Sequence, residues 1–242
     1  MKNKMKYLSL IALVMFSQGI TAQGVNDFFA GTDSFLKSNV QNGRVDYAAI
    51  KNNPEKLNKL VAAAKKVSVQ KTDVANYQAF WINTYNILVI NSVVNNYPLK
   101  SPLNVPGFFD KITHDVGGEN ITLNDIENKL LRANFPEEAR FHFVLVCAGL
   151  GCPPIIPNAY MPNTLDEQLQ KQTVKALNDN NFIRLKKKKV QISQIFEWYT
   201  GDFTQNGTSL VDYINTYRTE KLPKDSKVSY YPYDWTLNES IK

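Results

Sequence analysis

The sequence predicts an α+β fold in one domain, and three observations carry that expectation. Helical patterns fill the first half and extended ones gather in the second. Residues 76–95 (NYQAFWINTYNILVINSVVN) are apolar almost all the way round, as a buried central helix would be. No internal repeat or low-complexity linker divides the chain. At 242 residues with 43% hydrophobic and 12% aromatic content, it can build a real core, and wholesale disorder is excluded.

Residues 1–22 (MKNKMKYLSLIALVMFSQGITA) have a basic start at Lys2, Lys4 and Lys6, an apolar stretch over 8–16, and small residues at Thr21-Ala22. This is the layout of a secretory signal peptide, with cleavage expected after Ala22 or within two residues of it. The apolar stretch is too short for a bilayer core of about 30 Å. The mature chain, 23–242, is therefore expected to be exported to the periplasm or secreted, with no stable membrane anchor. Losing three of the 28 positive charges leaves 25 against 22 negative ones, a net of +3.

Residues 25–36 and 54–66 read as helices and 45–47 as extended chain. Pro98, Pro102 and Pro106 break the chain into a loop after the central helix. A helix is predicted from Thr122 to about Ala133, opened by an acid three residues after its cap. Thr164-Leu165-Asp166-Glu167 carries the full capping-box pattern before a helix to about Asn178. Between them, 140–148 (RFHFVLVCA) reads as a buried strand. Residues 182–192 form a hairpin pattern whose turn holds Lys186, Lys187, Lys188 and Lys189. No aromatic residues alternate with these lysines, so they read as a solvated turn and no nucleic-acid partner is expected. Short helices over 195–199 and 210–217 and a Tyr-rich extended tail complete the chain.

Several chemistries are missing. Neither common phosphate cradle, G-x-G-x-x-G or G-x-x-x-x-G-K-[ST], occurs, and neither does the G-x-S-x-G elbow. Two histidines, without H-E-x-x-H, argue against a metal centre, and neither metal nor cofactor is expected. The cysteines are spaced C-x-x-x-x-C, which is not the thioredoxin-type motif.

The informative stretch is 141–156 (FHFVLVCAGLGCPPII). A glycine-bearing loop presents Cys152 beyond the end of the expected strand, the better nucleophile candidate, while Cys147 reads as a small core residue. The pair also reads as a structural disulfide, since an exported protein meets an oxidising compartment, or as unreactive thiols. His142 is the candidate base, with a satisfied core histidine as the alternative. The five steps from His142 to Cys147 span about 16 Å of extended chain, so a Cys152–His142 contact needs the loop to fold back. His114 reads as a surface loop residue. Asn83 and Asn86 share one face of the central helix, to anchor loop backbone or to line a site. Glu127 is expected to orient His142 or to pair with Arg132 or Arg140.

Residues 77–86 (YQAFWINTYN), 123–132 (LNDIENKLLR), 140–154 (RFHFVLVCAGLGCPP), Ala159-Tyr160 and 195–203 (IFEWYTGDF) together resemble the domain-of-unknown-function 547 (DUF547) family over about 70–215, with Tyr233-Asp234-Trp235 as a further matching element beyond that span. The resemblance implies a papain-like or transglutaminase-like α+β fold, a buried central helix packed against an antiparallel sheet. It also points to Cys152, His142 and Glu127 as the catalytic set, with Asn83, Asn86, Trp81 and Tyr160 as binding neighbours. Papain-like enzymes place the nucleophilic Cys at the start of the central helix, ahead of the His. Here Gln78 stands at that helix start and both cysteines follow His142.

Two functions follow as expectations. One is an exported, monomeric thiol hydrolase or acyltransferase acting on amide bonds of peptides or cell-wall material, with Cys152 attacking and His142 moving the proton. The other is a non-catalytic extracytoplasmic module that binds a peptide or glycan.

Overall fold

The computed structural model describes residues 24–187 and 189–240, so the signal-like segment 1–22 lies outside the described residues. The chain begins with a helix over 24–39 (α1), followed by a minimal hairpin, Val40–Gln41 (β1) with Arg44–Val45 (β2). Two helices follow, Tyr47–Asn52 (α2) and Glu55–Ala64 (α3). They lead to the 23-residue Val74–Asn96 helix (α4), whose entry is capped by Asp73. Because α4 is apolar on every side, every side must be covered. α2, α3 and the segment after Ile126 pack around it in a first apolar cluster that includes Phe28, Phe80, Ile82 and Phe141. Each fully buried ring of this kind contributes roughly 1.5–3 kcal/mol.

A second hairpin, Thr113–Val116 (β3) with Glu119–Thr122 (β4), is antiparallel. His114 sits on it with Nε2 buried, and burial lowers its pKa, so it is not the surface loop residue expected. Thr122 closes a complete capping box with Asp125 and opens the one-turn helix Leu123–Asp125 (α5). The chain then widens into a π-helix, Ile126–Arg132. At Leu165–Asn178 (α6) the expected box is not made. Thr164 gives no side-chain cap, and Gln168 instead accepts from Met161 N and donates to Ala159 O.

The expected strand over 140–148 is instead a 3₁₀ turn, Ala139–Phe143, followed by chain paired to no strand. An apolar run of this length fits either form, and here no neighbouring strand offers a ladder. Asn86 takes that place, donating to Val144 O and accepting from Val146 N.

Ile183–Lys186 (β5) and Lys189–Ser193 (β6) form the expected antiparallel hairpin, and Lys227–Tyr231 (β7) joins β6 in parallel. This three-stranded sheet is therefore mixed rather than wholly antiparallel. It does not pack on α4 either. Its inward residues Ile183, Val190 and Ile192 join a second cluster with Phe143, Phe196 and Phe203. Ile195–Trp198 (α7), Thr200–Phe203 (α8) and Leu210–Tyr217 (α9) cover that cluster. Residues 141–152 run between the two clusters, with Phe141 in the first and Phe143 in the second.

Candidate functional site

Between the clusters lies a cleft of about 320 Å³, lined among others by Glu127, His142, Cys147 and Cys152. The loop does fold back. Ala148 has φ of 62°, a left-handed turn unusual for a residue with a Cβ, and Cys152 N donates to Gly149 O at 3.2 Å. The result brings Cys152 to Cys147, and the two sulfurs are joined as a disulfide. Of the three readings open to the pair, the bridged one is present, and neither sulfur is a free thiol in this state.

Tyr233 lies over the bridge. Its hydroxyl is 2.9 Å from each sulfur, and because bridged sulfurs carry no hydrogen, the hydroxyl donates. Gly151 is what lets the ring come so close. A Cβ there would stand 2.9 Å from the ring and from Asp234 N.

His142, only 5% exposed, is held by the short 3₁₀ turn and packs against the Tyr199 ring at 4.2 Å. Its Nε2 is 2.7 Å from Asp202 Oδ2. The same carboxylate takes a two-pronged contact from Arg132, Nε to Oδ2 at 2.6 Å and Nη2 to Oδ1 at 2.8 Å. Burial pushes the Asp202 pKa up, but the hydrogen bonds from His142 and Arg132 outweigh it and hold the carboxyl well below the usual range. An ionised carboxylate can only accept, so Nε2 carries the hydrogen, and in the neutral ring Nδ1 is left as the basic nitrogen.

The residue that orients His142 is thus Asp202, not Glu127. Nor does Glu127 take the ion pair expected with Arg132 or Arg140 among the described residues, since Arg140 is held by Glu138 and Asp166. Glu127 faces the cleft from the π-helix, near Tyr85 of α4 and Tyr199. Burial first, and the Glu127 charge second, raise the pKa of both phenols and keep them neutral. π-helical turns are often found at functional sites. This one puts Glu127 beside Tyr199 while Arg132, five residues on, lies 4.6 Å over the Tyr199 ring.

The remaining wall is aromatic. Tyr233 and Trp235 are 4.7 Å apart, Trp198 is 5.1 Å from Tyr233, and Phe109 is 6.0 Å from Trp235. Trp198 is 47% exposed, which is unusual for so large a ring. Asn83, Asn86, Trp81 and Tyr160 do not line this cleft. Asn83 donates to Tyr160 O and accepts from Tyr160 N, so both asparagines act as backbone clamps. Trp81 packs on Phe80 at 5.0 Å, and Tyr160 is buried.

Sequence reasoning passed over Asp202, Tyr199 and Trp198, although all three lie within the 195–203 motif. That polar and aromatic residues recur in a motif with no assigned role was the available signal. Among the described residues, no group of three or more His, Cys, Asp and Glu is placed to hold a metal ion. No helix there is long and apolar enough to cross a membrane.

No curated protein and no solved structure matches the chain. Residues 69–175, which carry α4, Glu127, His142 and both cysteines but stop short of Trp198, Asp202 and Tyr233, match the model of the family described as "Protein of unknown function, DUF547".

Proposed function

We propose that this protein is an exported binding module that takes a segment of peptide or glycan into the aromatic cleft. The observation that carries the reading is the aromatic lining of Trp198, Tyr233 and Trp235, with Trp198 47% exposed, beside a bridged cysteine pair. A flat, half-exposed ring such as Trp198 offers an apolar face to sugar C–H groups or side chains at little entropic cost. The bridge removes the thiolate that acyl transfer would need. Export belongs to the proposal too. It is supported by the basic, apolar and small-residue order of the first 22 residues, and by a disulfide of the kind that oxidising compartments favour. A papain-like ancestry is proposed as well. What supports it is the buried α4, whose Asn86 clamps the segment that carries His142 and the cysteines.

Tryptophan fluorescence of the oxidised protein, titrated with short peptides and cell-wall glycan fragments, tests this. The expected result is saturable binding that Trp198→Ala weakens about tenfold, at the upper end of the roughly 0.5–1.5 kcal/mol of an aromatic contact. Silence across both panels would sink the reading.

A second reading rests on a different observation, the His142–Asp202–Arg132 chain in the same cleft as Cys152. After a dithiol reduces the bridge, the Cys152 thiolate would attack an amide carbonyl. The amine would leave with a proton from His142, and water would then release the acyl group, returning a proton to the ring. Reduced protein should then be alkylated fast at pH 6, a reaction lost in Cys152→Ser and slowed in His142→Ala. Ordinary thiol reactivity unaffected by His142→Ala would remove this reading.

A further inference from the structure

The cleft is polarised as well as aromatic. Its lining includes six rings, Tyr85, Phe109, Trp198, Tyr199, Tyr233 and Trp235, yet no lysine or arginine among the described residues. The carboxylate in that lining is Glu127, and the tyrosines around it are held neutral. The nearest candidate counter-ion is already committed. Arg132 gives both prongs to Asp202, a further hydrogen bond to Asn128, and lies over the Tyr199 ring. The imidazole donates its Nε2 hydrogen to Asp202. Trp198 and Trp235 lie nearly parallel, 23° apart with centroids at 6.2 Å. Tyr233 is inclined 47° to Trp198 and 52° to Trp235, so its ring edges onto this pair. Electron-rich ring faces beside the Glu127 carboxylate, whose field Arg132 feels without forming an ion pair to it, suit a desolvated cation better than a neutral or anionic group.

We propose that this cleft is a site for an alkylammonium group, quaternary or primary, held against the aromatic wall of Trp198, Tyr233 and Trp235 with Glu127 as its counter-charge. The inference deepens the binding-module reading and rests on it, because it states which chemical feature of the ligand the module selects. The bridged cysteines, Tyr233 and Glu127 line the same cleft.

The probes are choline and its uncharged carbon isostere 3,3-dimethylbutan-1-ol, titrated against the oxidised full chain by tryptophan fluorescence and calorimetry. Choline should bind about tenfold tighter than the alcohol, as a partly desolvated cation–π site predicts. Added salt should narrow that gap. Glu127→Gln should erase it, and Trp235→Leu, which keeps an apolar wall but removes a ring face, should narrow it independently. Nα-acetyl-lysine methylamide, run alongside, separates a side-chain amine from a trimethylammonium headgroup as the natural source. Equal binding of choline and the alcohol, or a gap that survives Glu127→Gln, would overturn the proposal. A peptide or glycan that binds through Trp198 while choline shows no preference overturns the cation site alone. Choline selectivity with both ligand panels silent leaves the cation site and removes the broader reading.

Discussion

His142 Nε2 and Asp202 Oδ2 meet at 2.7 Å although 60 residues separate them in the chain. The pair ties the first cluster to the second, because His142 sits on the segment running between them and Asp202 on α8, whose Phe203 packs against the imidazole at 5.1 Å. Arg132 completes the tie from the π-helix.

The Asp202 pKa is depressed on folding, so its contribution to stability is complete above the unfolded value and fades as the pH falls below about 4. Asp202→Asn should destabilise the protein by roughly 1–3 kcal/mol at pH 7, since it leaves Arg132 and the imidazole short of an anion. Urea unfolding at pH 7 and at pH 3 should show the gap between wild type and variant shrinking in acid. A gap that stays constant or widens would contradict the assignment.

The disulfide closes only a short loop. Chain-entropy reasoning gives about 2 kcal/mol for it, so the double substitution Cys147→Ser, Cys152→Ser should lower Tm by about 4–8 °C. Titration of the unreduced, denatured protein with a thiol reagent should count no free sulfhydryl.

Gly151→Ala should be felt at the sulfurs. The added methyl meets Asp234 N and the Tyr233 ring at 2.9 Å, so the ring must retreat from the bridge. A loss of about 1–3 kcal/mol is expected from overpacking, together with faster reduction of the disulfide by a fixed dithiol concentration. Unchanged stability and reduction rate would mean that the ring is not held as described.

The two helix starts provide an internal comparison. Thr122→Ala breaks a working capping box and should cost about 1 kcal/mol, whereas Thr164→Ala should be close to neutral. Thermal melts of the two variants, run side by side, decide it.

What could be read in the sequence was mostly local. The all-round apolar pattern of α4 requires burial wherever it occurs, and the lysine-tipped hairpin needs only its own two strands. Asn83 and Asn86 were legible as clamps because a buried amide must find partners. The loop return that brings Cys152 into the cleft with His142 was legible as a requirement of chain length. The tertiary choices were not legible. Which acid reaches His142 depends on α8 folding over the second cluster, and Glu127 was merely closer in sequence. The 140–148 run carries a strand's composition. Its backbone partner is an asparagine side chain on α4, though, and no hydrophobic pattern encodes that. Of the two capping motifs, the fuller one misled for a similar reason, since the Thr164 hydroxyl donates to Gln168 and caps no first-turn N–H.

Residues 234–240 give the architecture a seam. Gly151 N and Leu150 N donate to Asp234 O and Thr236 O, Asn238 N to Ala148 O, Leu237 N to Lys100 O, and Val45 N to Asn238 O. One short stretch thus buckles the cysteine loop to the chain after α4 and to the small hairpin near α1. Cutting after 232 would unfasten all of these at once. The two clusters should therefore melt in a single transition, and a fragment bounded at 69–175 should hold neither a closed cleft nor a stable core.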